Sequence, residues 1–320
     1  MKKRDRIISK TASKYWQKTH KYGIRIPKSV KEALQLDKEN GDTRWWDSIQ
    51  QEMLNVRPAF ELYEGTEKDL PIGYQKIKCH MIFDVKMGEN FRRKARLVAG
   101  GHTTEAPASI TYSSVVSRAS VRIALMAAAL NGLDILACDI QNAYLTAISR
   151  EKIWTVAGPE FGAEEGSNML VKMALYGLKS SGAAFRAKLA GVLHDIGYIP
   201  TKSDPDVWIR PAVKVDGTEY YEMALCYVDD VLVMSAKAME TMDGIRATFK
   251  LKGDKAEKPD MYLGASLEEV ETASGTKCWS MSSEKYVKAA VTNVEERLSR
   301  KGMRLPSKCD TPMSTSYHPS

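Results

Sequence analysis

The sequence lacks the features that mark membrane-spanning, secreted and zinc-binding proteins. No apolar run approaches the length of a membrane span, since residues 123–130 suffice only for a core helix, and no apolar signal core follows the charged residues 1–6. The five cysteines are odd in number, widely scattered and without Cys-x-x-Cys or Cys/His zinc spacing. No internal repeat or low-complexity tract is present. These absences favour an intracellular protein in a reduced compartment.

Size and charge place few further limits on function. A chain of 320 residues that is 43% hydrophobic and 27% charged is ordinary for a soluble globular protein with two or three subdomains. The formal net charge of +7 and the pI near 9.0 fit a polyanionic partner. The excess of basic residues is modest and many enzymes share it, so charge alone does not identify nucleic acid as the ligand.

Two adjacent carboxylates, Asp229 and Asp230, stand between apolar runs of the kind that form buried strands. The flanking residues 223–226 and 231–234 predict a hairpin whose tight turn carries the two acids. Like charges at the closed end of an apolar hairpin are costly unless a cation neutralises them, and carboxylate oxygens are ligands that Mg²⁺ takes. The alternative interpretation is that aspartate simply favours turns.

A third carboxylate, Asp139, ends another short apolar stretch, residues 133–138. Phosphoryl transfer with two metal ions needs carboxylates from separate strands, around ions that lie roughly 3.5–4 Å apart. One strand-end aspartate and one hairpin Asp-Asp pair supply that set. The alternative for each acid is a solvated residue at the end of a strand.

The remaining pattern predicts a chain of mixed helices and strands. Helices are expected from a cap at Asp42 or Thr43, from an N-cap at Ser120 to residue 130, and over residues 183–196, 239–251 and 283–300. Strands are expected over residues 77–86 and 91–99 with a turn at 88–90, at 133–139, and in a hairpin over 220–234. Residues 1 to about 40 show no clear period and are expected to be poorly ordered. A strand, helices and then a hairpin beside the first strand form the split βαβ pattern.

Several short motifs occur in an order that is typical of one family. They are Trp45-Trp46 with Glu52-Met53, Lys94-Ala-Arg-Leu-Val-Ala-Gly-Gly101, Asp139-Ile-Gln-Asn-Ala-Tyr144, Leu175-Tyr-Gly-Leu-Lys179, Asp204-Pro-Asp-Val-Trp208, Tyr227-Val-Asp-Asp230, Tyr262-Leu-Gly264, and Thr311-Pro-Met313 with Tyr317-His-Pro319. Together they resemble the reverse transcriptase of copia-type (Pseudoviridae) LTR retrotransposons over roughly residues 45–320. The chain departs from the family at residues 180–183, which read Ser-Ser-Gly-Ala where the commoner form is Gln-Ala-Pro-Arg. The start of that helix is therefore expected to differ in shape.

The resemblance implies the α+β fold of a right-hand polymerase. It places a basic lead at residues 1–41, fingers at 42–130, a ferredoxin-like (split βαβ) palm with the catalytic carboxylates at 131–240, and the palm end with a partial thumb or connection, truncated before ribonuclease H, at 241–320. The implied function is an RNA-directed DNA polymerase domain of a retrotransposon polyprotein, which is a nucleotidyltransferase. Two other hypotheses stay open, a non-catalytic remnant that only binds nucleic acid and a two-metal nuclease. The nuclease leaves Arg96 and Tyr144, to which the resemblance assigns nucleotide binding, without a role.

The resemblance also assigns roles to the carboxylates. Asp139, Asp229 and Asp230 would be catalytic and, with Ile140, would hold two Mg²⁺ ions, for which Mn²⁺ can substitute. Such a site binds the phosphates of an incoming nucleotide and lowers the pKa of the primer 3′-hydroxyl for in-line attack.

Nucleotide and nucleic-acid contacts are implied at further positions. The nucleotide-binding residues would be Lys94, Arg96, Tyr144, Tyr176 and Gly177. Of these, Arg96 and Lys94 would bind the triphosphate, and Tyr144 would lie under the sugar, where its ring excludes a ribose 2′-hydroxyl. The residues that contact nucleic acid would be Lys76, Lys78, Arg92, Arg93, Lys179 and Tyr227. The alternatives are a core tyrosine at position 144 and a solvated basic hairpin.

The implied partners are an RNA or DNA template with its primer, deoxynucleoside triphosphates, and the rest of the Pol polyprotein, with its integrase and ribonuclease H. No membrane is expected. The implied location is the reducing cytoplasm, within virus-like particles.

Overall fold

A computed structural model describes residues 19–86, 91–107, 109–299 and 302–305. The predicted turn at 88–90, the motifs at 311–313 and 317–319, and residues 1–18 of the lead lie outside the described residues. The helices are α1 (Val30–Asn40), α2 (Arg44–Val56), α3 (Arg118–Leu130), α4 (Ser181–Asp195), α5 (Ala238–Arg246) and α6 (Glu284–Ser299). The strands are β1 (His20–Lys21), β2 (Ile24–Arg25), β3 (Phe60–Tyr63), β4 (Gln75–Lys76), β5 (Cys79–Val85), β6 (Arg93–Ala99), β7 (Asp134–Asp139), β8 (Ile148–Val156), β9 (Asn168–Met173), β10 (Ile199–Pro200), β11 (Val207–Val213), β12 (Glu219–Tyr227), β13 (Asp230–Ser235), β14 (Met261–Tyr262), β15 (Ala265–Glu271) and β16 (Lys277–Ser282). The α+β class predicted from the sequence is confirmed.

The N-terminal lead is more ordered than the sequence pattern predicts. Helix α1 begins at an N-cap, Ser29, whose Oγ accepts the Glu32 N–H at 3.2 Å, and ends at Gly41, whose φ is 68°. The Asp37 carboxylate accepts the Trp45 and Trp46 N–H groups at 3.0 and 2.8 Å, and so caps the start of α2. The prediction of a poorly ordered lead is therefore wrong for residues 30–40, because an apolar stripe among its charged residues packs into the core.

One antiparallel sheet, in the order β10-β11-β12-β13-β7, brings the predicted catalytic stretches together. Strand β12 turns directly into β13, and β13 pairs with β7 over the whole length of both strands. The predicted hairpin over 220–234 and the predicted strand at 133–139 are thus neighbours. Strand β7, helix α4 and the β12–β13 hairpin form the expected split βαβ arrangement.

Both faces of this sheet are buried, which explains the continuous apolar runs in its strands. On one face Cys138, Cys226 and Val231 pack against α4 and α5. On the other face Leu225 and Leu232 pack against α3. Cys138 and Cys226, beside the carboxylates, fill core positions.

A second core joins α1, α2, the β5–β6 hairpin and the four-stranded sheet β3-β9-β8-β4. The predicted division into fingers, palm and partial thumb stays a prediction, but its boundary after residue 130 does not follow the packing. Helix α3 contributes to the core of the five-stranded sheet, whereas β8 and β9 contribute to the second core. Segments exchange between the two units along the chain, so a single cut cannot separate them.

Three helices begin or end away from their predicted positions. The N-cap of α3 is Ser117, not Ser120, and the Ser117 Oγ accepts the Ser120 N–H at 3.1 Å. Helix α4 begins two residues earlier than predicted and ends one residue earlier. Helix α5 ends at Arg246 rather than near 251, because Leu251 is buried in an extended segment that bridges to Ile140. None of the described helices combines the length and apolar character needed to cross a bilayer.

Candidate active site

The tip of the β12–β13 hairpin is a two-residue turn formed by Val228 and Asp229. Tyr227 and Asp230 are the last paired residues, and Val228 has a φ of 56°. The left-handed region is unfavourable for a β-branched residue and costs about 1–3 kcal/mol. The Ile140 N–H donates to the Asp229 carbonyl at 2.8 Å, so the exit of β7 holds this strained turn in place.

The strand register places the predicted carboxylates together. Asp139 and Asp230 are directly paired residues of β7 and β13, and Asp229 precedes Asp230 in the turn. Paired residues on adjacent antiparallel strands have Cβ atoms about 4.5–5.5 Å apart. Three acids separated by up to 91 residues in sequence, 139 to 230, therefore share one end of the sheet.

The pKa values at this sheet end reflect the crowding of negative charge. Burial and the charges of Asp229 and Asp139 raise the pKa of Asp230 to about 6. Burial and the Asp139 charge also raise the pKa of Asp229. Lys252 relieves part of this charge, because its Nζ lies 2.7 Å from Asp139 Oδ2. The hydrogen bond to Asp139 in turn raises the pKa of Lys252.

The donor set fits a hard divalent cation. The three carboxylates offer oxygen ligands, and the raised pKa values of Asp229 and Asp230 indicate negative charge that a cation would stabilise. Ile140 is fully buried and apolar, so only its main-chain carbonyl is available as a ligand. Within the described ranges no three His, Cys, Asp or Glu side chains form a group able to hold a metal as they stand, and Asp139 is occupied by the Lys252 ammonium. A cation bound there therefore requires rearrangement of the Asp139 side chain or of Lys252.

The predicted nucleotide-binding side chains form a cluster beside Asp229. The Arg96 guanidinium lies 5.0 Å from the centre of the Tyr176 ring, and the Tyr176 and Tyr144 rings are 4.9 Å apart. Burial, and then the Asp229 charge, raise the pKa of Tyr144, so the cluster is within electrostatic reach of the carboxylates. Burial and the nearby cations Arg96, Lys86 and Arg92 lower the pKa of Lys94. Positive charge concentrated in this way favours an anionic ligand.

Tyr144 and Gly177 each have a structural role as well as a predicted functional one. Tyr144 lies in a 3₁₀ turn that begins after Asn142, whose φ is 53°. The centres of the Tyr144 and Phe185 rings are 6.2 Å apart. Gly177 has a φ of 95°, and a Cβ there would lie 2.1 Å from the Ala99 carbonyl oxygen. The close approach that requires glycine is thus made to the end of β6. Nucleotide contacts by both residues stay predictions.

The Ser180-Ser181 departure from the family pattern has a clear structural effect. The Ser180 N–H and Oγ both donate to Glu151 Oε1, at 2.8 and 2.7 Å, and the Ser181 Oγ donates to the Leu175 carbonyl at 2.6 Å. Because all of these groups are buried, the bonds fix the turn that carries Tyr176 and Gly177.

The residues predicted to contact nucleic acid differ in their surroundings. Lys78 and Arg92 are exposed, and the Tyr227 side chain is 38% exposed at the hairpin tip. Lys76 lies 4.4 Å from the centre of the Trp154 ring and pairs with Glu67. The Lys179 ammonium donates to the Thr104 carbonyl. Arg93 donates to the Phe91 carbonyl and lies over the Trp45 ring. Lys76, Lys179 and Arg93 would have to give up these contacts, at least in part, to bind nucleic acid.

Two residues near the site have no role predicted from the sequence. Lys252 begins the short 3₁₀ helix Lys252–Asp254, 113 residues from its partner Asp139. Glu52 lies on α2 but accepts the Leu97 N–H of β6 at 3.0 Å. Neither position carries a spacing signal, because each contact depends on the tertiary fold. Glu52 does fall within the first of the family motifs, which gives no indication of its partner.

A cavity of about 610 Å³ opens beside the carboxylates. Its lining includes Asp139, Asp230 and Tyr227 of the sheet, together with Arg118 and Lys252. Its mixture of acids and bases fits a ligand that brings both a cation and phosphate groups.

Comparisons with known proteins identify the family to which the chain is similar. The family model described as "Reverse transcriptase (RNA-dependent DNA polymerase)" matches residues 63–298, a range that includes every predicted site residue. The chain is 28% identical over 307 residues to the retrovirus-related Pol polyprotein from transposon TNT 1-94 of Nicotiana tabacum, a match that covers 91% of this chain and 21% of that protein. It is 29% identical over 206 residues to the corresponding polyprotein from transposon RE1 of Arabidopsis thaliana, a match that covers 61% of this chain and 14% of the relative.

A solved structure is also similar. It is the foamy viral protease-reverse transcriptase in complex with ds DNA, with a TM-score of 0.42 and 13% identity over 77% of this chain and 36% of that one. The chain spans about a fifth or less of the length of the curated relatives.

Proposed function

The chain belongs to the reverse transcriptase (RNA-dependent DNA polymerase) family, with the copia-type resemblance confirmed by its transposon relatives, and we propose that it adds deoxynucleotides to a primer 3′-hydroxyl on an RNA or DNA template. The observation that carries this proposal is the register that pairs Asp139 with Asp230 beside Asp229. The acids lie near the cluster of Arg96, Tyr176 and Tyr144, whose positive charge suits the phosphates of a nucleotide.

The carboxylates are the proposed metal ligands. Asp139, Asp229 and Asp230, with the Ile140 carbonyl, would hold two Mg²⁺ ions, or Mn²⁺ in their place. When bound, these cations supply the positive charge that lowers the pKa of the primer 3′-hydroxyl and neutralises the triphosphate. Lys252 neutralises part of the carboxylate charge through its ion pair with Asp139, and this pair would have to rearrange when a cation binds Asp139.

The remaining residues of the site bind and orient the substrate. Arg96 and Lys94 would bind the triphosphate oxygens, and the Arg96 guanidinium is held over the Tyr176 ring for that contact. Tyr144 would lie under the sugar and discriminate against a 2′-hydroxyl by steric exclusion. Tyr227, at the hairpin tip, and the exposed Lys78 and Arg92 would contact the nucleic-acid strands.

The wider assignments are proposals too. The proposed partners are a primed template, deoxynucleoside triphosphates and the rest of a Pol polyprotein with integrase and ribonuclease H. The proposed location is the cytoplasm, within virus-like particles. The free thiols at Cys79, Cys138, Cys226 and Cys278 support a reducing compartment.

The test is primer extension on poly(rA)/oligo(dT) with Mg²⁺, with the parent chain compared with Asp229→Asn. Asn is nearly isosteric with Asp, so the substitution removes a charge without opening a cavity. Asp195→Asn, an exposed aspartate at the end of α4, is the matched control. Extension by the parent and by the control, and none by Asp229→Asn, is the expected result. Template binding without extension by the parent would favour the alternative of a non-catalytic nucleic-acid-binding remnant.

A further inference from the structure

The outer edge of strand β6 is covered by acceptors that do not belong to a strand. Within the part of the chain that the structure describes, β6 pairs with β5 alone, so the N–H groups on its other edge need partners from elsewhere. Three alternate residues of β6 donate their N–H groups to such acceptors. Ala95 N–H donates to Ser48 Oγ at 2.6 Å, Leu97 N–H to Glu52 Oε1 at 3.0 Å, and Ala99 N–H to the Tyr176 carbonyl at 2.7 Å.

The spacing of the first two contacts matches a helix to a strand. Ser48 and Glu52 are four residues apart on α2, which places their Cβ atoms about 5–6 Å apart on one face. Ala95 and Leu97 are two residues apart on β6, which places their N–H groups about 6.6 Å apart. One face of α2 therefore runs alongside the strand in the position that a neighbouring strand would take.

These contacts fix the face of β6 that bears the cations. Because successive strand residues point to opposite faces, Ala95 and Leu97 are buried at 3% and 1% exposure, and Lys94 and Arg96 point the other way. Any slip or tilt of the strand would move both cations together. The third acceptor, Tyr176, also supplies the ring under Arg96, so the same edge connects the strand to the nucleotide cluster.

Glu52 has a charge as well as an acceptor at this edge. Burial raises the pKa of Glu52, while the Leu97 N–H and the charges of Arg96 and Lys94 lower it. Glu52 is close enough to Arg96 and Lys94 to feel their charges, but its hydrogen bond is to the backbone of β6. Its effect on a bound substrate would therefore be indirect.

We infer that Glu52, assisted by Ser48, is a positioning residue for nucleotide binding, which holds β6 by its free edge so that Arg96 and Lys94 meet the triphosphate. This inference rests on the proposed function and adds a residue that acts through others. It predicts that the backbone bond matters more than the charge, since Gln keeps an acceptor oxygen for the Leu97 N–H and Ala does not.

The experiment compares the parent chain with Glu52→Ala, Glu52→Gln and Ser48→Ala. The exposed Gln50→Ala on the same helix is the matched control. Two quantities are measured on poly(rA)/oligo(dT), the KM and kcat for dTTP with Mg²⁺ and the equilibrium Kd of dTTP on a chain-terminated primer with Ca²⁺. The exchange rate of the Leu97 amide hydrogen is followed in each variant, since it reports the bond directly and needs no turnover.

The expected result for Glu52→Ala is an increase of about tenfold in both KM and Kd for dTTP, with kcat and template-primer affinity within about twofold of the parent. Ser48→Ala should show a smaller change in the same direction, and Glu52→Gln and Gln50→Ala should match the parent. The Leu97 amide should exchange faster in Glu52→Ala alone. Unchanged dTTP affinity in Glu52→Ala, or equal losses in the Gln and Ala variants, would overturn the inference.

The two proposals fail in different ways. A parent that binds dTTP in the Ca²⁺ complex but does not extend the primer contradicts the proposed polymerase activity and leaves the Glu52 comparison intact. A Glu52→Ala variant that loses kcat and template-primer affinity to the same extent as dTTP affinity would show a general structural role and would contradict the positioning role.

Discussion

The close contact between Gly177 and the end of β6 gives a sharp prediction about the stability of the fold. Replacement of Gly177 by alanine places a Cβ 2.1 Å from the Ala99 carbonyl oxygen and 2.8 Å from Val98 Cγ1, at a φ of 95°. The left-handed conformation costs alanine about 1–2 kcal/mol. Relief of the contact needs a backbone shift, for which the cost of overpacking, about 1–3 kcal/mol, is the guide. We therefore expect Gly177→Ala to destabilise the fold by about 2–5 kcal/mol.

Gly217→Ala separates the two contributions. Gly217 has nearly the same φ, 86°, but a Cβ at this position would meet no atom within 4 Å beyond its chain neighbours. Its replacement should therefore cost only the conformational part, about 1–2 kcal/mol. Urea unfolding followed by circular dichroism measures both variants against the parent. A difference of about 1–3 kcal/mol between them supports the close approach, and equal losses would show that the Gly177–Ala99 contact is not tight.

Three further predictions concern Tyr144, the pair Lys78 and Arg92, and Glu222. Tyr144→Val should raise ribonucleotide incorporation relative to deoxynucleotide incorporation by at least about tenfold, since the loss of one steric exclusion is worth on the order of 1–3 kcal/mol; an unchanged ratio in single-nucleotide addition would return Tyr144 to a purely structural role beside Phe185. The double variant Lys78→Ala/Arg92→Ala should bind duplex more weakly, and the slope of log K against log salt concentration should become shallower by about 2, because each lost phosphate contact contributes about 0.9. An unchanged slope in a salt titration would place the phosphate contacts elsewhere. Glu222→Gln should destabilise the fold most near pH 7, because hydrogen bonds from Ser235 and Arg210 outweigh burial and hold the pKa of Glu222 below its ordinary value. A carboxyl whose pKa is lower in the folded state stabilises the fold at pH values above its unfolded pKa of about 4.3, and this stabilisation is lost as the pH falls through the folded pKa. The difference in urea midpoint between parent and variant should therefore narrow below about pH 4. A difference that does not change with pH would contradict the pKa assignment.

The sequence predicts the strands and the turn that carry the three carboxylates, because the signals for these elements are local. Apolar runs that end in aspartate predict the strands, and the Asp-Asp pair predicts the turn of the β12–β13 hairpin. The family resemblance implies that Asp139 and Asp230 share a site, and the strand register agrees with it.

The contacts that the sequence does not predict depend on packing between distant segments. The ion pair of Lys252 with Asp139 and the bond from Leu97 to Glu52 join residues 113 and 45 positions apart, with no periodic pattern to connect them. Charged residues obscure the apolar stripe of helix α1, and the cap that Asp37 gives to the next helix is a tertiary contact. The engagement of Lys76 and Arg93 with tryptophan rings is likewise not predictable, since a basic hairpin in sequence does not reveal which of its cations face the protein.

The most direct test of the central claim is a double-mutant cycle on Asp139 and Asp229. The measured quantity is the rate of a single dTTP addition to oligo(dT) on poly(rA), for the parent, Asp139→Asn, Asp229→Asn and the double variant. If the two acids act as one unit at the end of the sheet, each single substitution removes nearly all activity and the double variant is little worse than either. Parent-level activity in either single variant, or losses that multiply in the double variant, would contradict a shared catalytic site.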